Sequence, residues 1–274
     1  MYKDLAEHFV RSFFMHMEPI QIAGVFDTRT SAKGYCARCD TVHSTVVGYG
    51  AKYAGELFRR LEKEKRIDFS VPESDADPRL ATETLYGEAR GQMFGVLVCR
   101  DADGQYGLLK AFSGQYNGIW NVEGWVPPLI DVSRLAAMSS GVERFIKRLG
   151  AMIEALPAGS PERKALIDKR KSVSQALMKD IHMLYSIPSF GGRDLPLSEV
   201  VVGEGGIPTG MGDCCAPKLL GHAARHSLKP LGLAEFYVGR ENRSKSRMHG
   251  GMYSACSEKC QRILGHMLCG TSET

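Results

Sequence analysis

Cys256 and Cys260 stand four residues apart, so on the first turn of a helix their sulfurs share one face and reach a common ion at ~2.3 Å per bond. A pair alone cannot hold zinc (Zn2+). Cys214, at the start of another helix, supplies the third thiolate, because free N–H groups and the helix dipole favour a negative sulfur there. Three protein ligands leave one position for water, which is the arrangement of a catalytic zinc. Water bound there is acidified and becomes a nucleophile near neutral pH. Cys215 is the rival for the third place, but adjacent residues rarely point the same way. The candidate proton shuttles are Asp213, beside Cys214, and Glu88, which only folding would bring near.

A second set is Cys36, Cys39 and His43, a C-x-x-C knuckle with a nearby histidine and no fourth ligand in the local sequence. Three readings stay open: a separate structural zinc site, a closed four-cysteine site shared with Cys256 and Cys260, or no metal at all. Cys99, in an apolar strand, and Cys269, near the end of a helix, read as core residues.

The chain that must position these groups has 274 residues, 43% of them hydrophobic and 24% charged. Such a chain fills a globular core, and nothing in it reads as disordered or low in complexity. Asp4, Glu7 and Arg11 interrupt the apolar residues of the first segment, so it does not read as a signal peptide. No apolar run reaches bilayer length. These features predict a cytoplasmic protein that does not enter a membrane, in which eight cysteines stay reduced and serve metal or catalysis.

Along the chain, Leu5, Phe9, Val10 and Phe13 recur at helical spacing, and Tyr53, Leu57 and Leu61 do so after the knuckle. Residues 66–84, with Pro72 and Pro78, read as a loop. MFGVLVCR and QYGLLKAF flank Asp103-Gly104 and predict a β-hairpin, since Asp and Gly accept the positive φ of a tight turn. Pro127-Pro128 closes that unit. A helical hairpin follows, inserted at about 134–188, with one arm from about Val142 to Leu156 and a second capped by Ser160-Pro161. The final unit runs from a glycine-rich approach through a helix, CCAPKLLGHAARH, and a strand, LGLAEFYVG, to a helix opened by the cysteine pair.

That order resembles the zinc-dependent nucleobase deaminase fold, with Cys214 matching the first ligand and Cys256 and Cys260 the cysteine pair. The pair is spaced by three residues where the family usually has two. Two residues after Cys214, where the family carries its catalytic glutamate, stands Ala216. From about Gly91 to Leu268 the chain is similar to the N-terminal accessory region of some bacterial RluA-type pseudouridine synthases. GQMFGVLVC, AFSGQ, WVPPLID, GDCCAPKLL, LKPLGLAEFYVG and HGGMYSACSEKCQRILGHML carry the likeness. The synthase's catalytic Arg-Leu-Asp motif is absent from the sequence, so the resemblance implies a stand-alone accessory region without pseudouridylation chemistry. The expected fold is therefore α/β. Residues 1–90 form an N-terminal helical segment with a zinc-knuckle-like stretch, and residues 91–274 a deaminase-like mixed sheet with flanking helices and an inserted antiparallel helical hairpin.

Net charge is +4, but nine Lys/Arg face five acids between Val142 and Tyr185. Arg240, Arg243, Lys245 and Arg247 form a second basic stretch, suited to phosphate contacts with tRNA or rRNA. Tyr253, Phe236 and Trp120 offer stacking faces, and Ser113, Gln115 and Asn117 offer polar groups to a substrate. The sequence thus predicts an RNA-associated zinc module in RNA modification or recognition. Its alternatives are a zinc-dependent deaminase acting on a nucleobase or nucleotide, and a structural zinc scaffold that engages a protein through the helical hairpin.

Overall fold

A computed structural model describes residues 17–271, and the helix read around Leu5 to Phe13 lies outside them. The described chain begins with β1 (Glu18–Pro19), β2 (Asp27–Cys36) and β3 (Thr41–Gly48). Helix α1 (Gly50–Glu64) buries Tyr53, Ala54, Leu57 and Leu61 along one stripe, as their spacing requires. The proline-containing stretch after it forms only short 3-10 turns between Glu73 and Tyr86. Next come β4 (Gln92–Arg100) and β5 (Tyr106–Phe112), joined by a turn in which Gly104 has φ +83° and the Asp101 carboxylate accepts the Gln105 N–H at 2.8 Å.

The helical hairpin is present as α2 (Val132–Glu154) and α3 (Pro161–His182). Ser160 caps the second arm as expected, accepting the Arg163 N–H. The first arm begins ten residues before the expected Val142. There the Asp131 carboxylate accepts the N–H groups of Ser133 and Arg134 and nucleates the turn. Arg163 then donates to the carbonyls of Ile153 and Leu156, closing the C-terminal end of α2.

The remaining elements are β6 (Ser186–Pro188), β7 (Asp194–Pro196), α4 (Leu197–Val200), α5 (Cys215–Arg225), β8 (Lys229–Val238), β9 (Met252–Tyr253) and α6 (Gln261–Leu268). The main sheet has the order β1-β5-β4-β8-β9. Every pairing in it is antiparallel, which corrects the expected mixed sheet. The physical reason lies in the crossover. The carbonyl end of β5 meets the start of α5 through the Gly114 N–H, which bonds the Asp213 carbonyl at 2.7 Å. Helix α5 then runs the length of β4, so β8 returns antiparallel to β4 on its free edge.

Strand alternation divides the core into two. Leu97, Cys99, Leu109, Ala111 and Leu233 face α5 and α6, while Phe94, Val96, Val98, Phe112 and Phe236 face α1 and Trp125. Cys99 is core, as its strand predicted. Phe236 stacks on Phe94 with ring centroids 6.0 Å apart, which removes it from the candidate stacking surface. Trp125 anchors the aromatic side by donating its indole N–H to the Ile67 carbonyl at 2.8 Å.

The C-x-x-C knuckle rides on the β2–β3 hairpin, which lies against α6, and residues 27–48 are strand and turn throughout their regular part. Contact is closest where Gly34 meets Gly265, since a Cβ on either would strike the backbone of the other element. Gly265→Ala should therefore destabilise the fold by about 2 kcal/mol or more, read from the urea unfolding midpoint.

On α5, His222 is buried with its ring 4.3 Å from that of His226. Burial, reinforced by the charges of His226 and Arg225, pushes its pKa down to about 4. Above pH ~6.5 the ring is neutral in folded and unfolded chains alike. Between there and about 4 the unfolded chain takes up a proton that the folded one refuses, so stability falls. The full loss is on the order of 3 kcal/mol. His222→Gln should flatten this acid slope in denaturation curves collected across that range.

Candidate metal centre

Cys214 caps the N-terminus of α5, reached through Gly210 and Gly212, whose φ values of +72° and +96° let the chain turn sharply into the helix. Cys256 and Cys260 come from the approach to α6. They are not on a shared helical turn as expected: residues 257–260 form a turn before the helix, and Cys260 is the residue that flanks it. Their sulfurs nevertheless lie 3.4 Å apart, and the Cys260 N–H points at the Cys256 sulfur at 3.4 Å. Together with Cys214 they form a group whose ligand atoms all lie within 4.8 Å of one another, so it could hold a metal ion. Cys215 points the other way and donates its thiol to the Met93 carbonyl at 3.3 Å, which disposes of the rival ligand.

Donation from Cys214 and Cys260, and then from backbone N–H groups, pulls the Cys256 thiol down to about 2. The same interaction with Cys256 pushes the Cys214 thiol up to about 12. A divalent ion bound there would replace the thiol protons and take all three sulfurs as thiolates.

Glu235 is the residue that the sequence reading missed. It sits at the middle of β8, opposite Gly95 on one side and Tyr253 on the other, and is only 5% exposed. Its carboxylate accepts the N–H of Ala216 at 2.7 Å, in the first turn of α5 and two residues from Cys214. Burial raises its pKa to about 7, opposed by the Ala216 N–H, and Cys256 pushes in the same direction as burial. Gly95 makes the space: a Cβ there would come within 2.8 Å of the Cys215 Cβ and 3.3 Å of the Glu235 Cγ. The signal in the sequence was an acid at an inward position of an apolar strand, a place where an unpaired carboxylate is costly.

Of the two proposed proton shuttles, Asp213 is adjacent to the group but turned away into a hydrogen bond, its Oδ1 accepting from the Tyr185 hydroxyl at 2.7 Å. Burial raises its pKa, with Tyr185, Lys218 and Lys259 opposing. Glu88 is exposed in the turn before β4 and does not join the cysteines. Lys218, which the sequence did not single out, is 1% exposed and donates to the carbonyls of Phe112 and Gly114 at 2.9 and 2.6 Å. It pins the loop after β5 onto α5.

That loop forms one wall of a cleft of about 730 Å³, with Ser113, Gln115 and Asn117 on its lining. Arg90, Arg243 and Arg247 line it as well, and no cysteine does. Of the four predicted basic residues, Arg243 and Arg247 therefore face the cleft, while Arg240 and Lys245 are exposed outside its lining. The Arg247 guanidinium lies over the Tyr253 ring at 4.2 Å. Trp120 is half-buried near Lys218, whose Nζ is 5.8 Å from its ring.

The knuckle forms a separate group. Cys36 closes β2, Cys39 lies in the turn, and His43 follows on β3. The fourth member is Cys269, just beyond α6, with its sulfur 3.4 Å from that of Cys39. Cys269 had read as core because nothing in its local sequence ties it to a residue more than two hundred positions earlier. Burial pushes the Cys36 thiol up, but N–H groups of Cys39 and Arg38 and the neighbouring thiols outweigh it, and the net shift is downward. All eight cysteines are free thiols.

No protein family, curated protein or solved structure matches the chain. Among the described residues no helix is long and apolar enough to cross a membrane.

Replacing Lys218 by methionine keeps its volume but removes the donor from the buried Phe112 carbonyl and the part-buried Gly114 carbonyl. The expected cost is about 2 to 4 kcal/mol, seen as a lower unfolding midpoint, together with faster proteolysis of the loop after β5.

Proposed function

We propose that the Cys214, Cys256 and Cys260 group is a hydrolytic zinc centre of the nucleobase-deaminase kind, acting on a base of RNA or of a free nucleotide. The observation that carries this reading is the buried Glu235 carboxylate, delivered by β8 to the side of three convergent thiols and held there by the Ala216 N–H. Cys214, Cys256 and Cys260 would hold a zinc ion, and the chemistry it would supply there is an acidified water. A carboxylate beside that position does the rest of the work. Glu235 would carry one proton of the attacking water to the ring nitrogen next to the reacting carbon and the other to the departing amine. The exocyclic C–NH2 of the base becomes C=O, and ammonia leaves. The glutamate that the deaminase resemblance placed at Ala216 is in this reading supplied from the neighbouring strand, to the backbone of that same residue.

The reading of the substrate class draws on the cleft, which neither the cysteines nor Glu235 line. Arg90, Arg243 and Arg247 suit a phosphate, and the amide of Gln115 suits the edge of a base. The likeness to the accessory region of RluA-type pseudouridine synthases supports RNA as the source of that base. A second reading has its own support: no cysteine lines the cleft, which fits an RNA-associated zinc module that binds without catalysing.

The discriminating assay measures ammonia from nucleosides, nucleotides and RNA with the zinc-loaded protein. Release from one class is expected, and Glu235→Gln should lower kcat by about 10²- to 10⁴-fold with zinc content unchanged. No release from any member of the panel, or an undiminished Glu235→Gln variant, overturns catalysis. In the binding reading, neutralising Arg243 and Arg247 weakens RNA binding and flattens its salt dependence while no ammonia appears.

A further inference from the structure

We infer that Cys36, Cys39, His43 and Cys269 form a second and closed zinc site, which clasps the turn of the β2–β3 hairpin to the chain just beyond α6. The donor set is complete: three sulfurs and one imidazole nitrogen lie within 4.8 Å of one another, the composition of a four-coordinate structural zinc. Three soft donors and a histidine exclude the oxygen-preferring cations. The histidine gives independent support. Its Nε2 is buried and has no hydrogen-bond partner among the described residues, a cost that a metal bond would remove. The sulfurs of Cys39 and Cys269 are 3.4 Å apart, too far for a disulfide at ~2.05 Å and near enough to share an ion.

The surrounding backbone is built to hold this geometry. Asp40 takes a positive φ of +50°, which turns the chain between Cys39 and His43, and Gly34 allows the hairpin to press on Gly265. On the other side, the Gly191 N–H bonds the Cys269 carbonyl at 2.6 Å and the Phe190 N–H bonds that of Met267 at 3.1 Å. Helix α6 is only eight residues long. It is bounded before its start by Cys256 and Cys260 and after its end by Cys269, so the clasp also holds the element that carries two sulfurs of the other group. The role of this site is positional, and it does not depend on whether the other group is catalytic.

The test is metal analysis of the full chain, purified reduced and supplied with zinc. The unmodified protein should carry two zinc ions per chain. Cys39→Ser, at the exposed member of the set, should carry one, and Cys256→Ser should also carry one, through loss of the other ion. His43→Ala should lose one ion, whereas His43→Cys, which restores a four-ligand set, should keep two. The Cys39→Ser and His43→Ala variants should also unfold at lower temperature than the parent. A Cys39→Ser variant that binds as much zinc as its parent overturns the proposal, as does a Cys39–Cys269 disulfide in the zinc-supplied reduced protein; a parent with a single zinc that Cys39→Ser loses and Cys256→Ser keeps upholds it and counts instead against metal at the other group.

Discussion

The hydrogen bond from the Ala216 N–H to the Glu235 carboxylate ties the start of α5 to the middle of the central sheet, and much of the site's geometry follows from where it lies. A carboxylate buried in a strand needs a donor, and the first turn of a helix has N–H groups to spare. The two deficits cancel only if α5 begins directly above β8. That placement points Cys214 outward to Cys256 and Cys260 and drives Cys215 down onto the Met93 carbonyl. One turn further along α5, Lys218 reaches back to the carbonyls at the end of β5. The absence of a side chain at Gly95 is what lets the helix come so close.

Charge is concentrated at this junction in a way that a stable core alone would not need. Glu235, Lys218 and Cys260 are buried and Asp213, Cys214 and Cys256 half-buried, and burial pushes both carboxylates upward and the ammonium down to about 8. Each would be neutral or paired in a molecule shaped only for stability. A divalent cation held by the sulfurs would change that balance, because it would stabilise the anions around it.

Much of the secondary structure was legible from periodicity. Alternating apolar residues and Asp103-Gly104 marked β4 and β5, and Ser160-Pro161 marked the start of α3. The start of α2 was not, since Ala136, Ala137 and Ser139 carry little apolar contrast and the cap at Asp131 follows a proline pair. Strand direction was not legible either, because it depends on where α5 begins relative to β5, a tertiary matter. Within the site, Cys214, Cys256 and Cys260 were found from their types and helix-end positions, and they do converge. Glu235 and Cys269 were missed for one shared reason: each lies inside an apolar stretch whose pattern is fully explained by packing, and only the fold shows what stands across from it.

The crossover between β5 and β8 bears on how such a chain reaches its folded state. β4 and β5 are neighbours in sequence and close at once around their turn, but β8 joins β4 only after more than a hundred intervening residues have been placed. Loop-closure entropy makes that pairing late, whereas α2 and α3 meet through a short connection and form locally. Until β8 arrives, the apolar edge of β4 is open to other chains, so refolding should be slow and sensitive to protein concentration, with aggregation as the competing outcome.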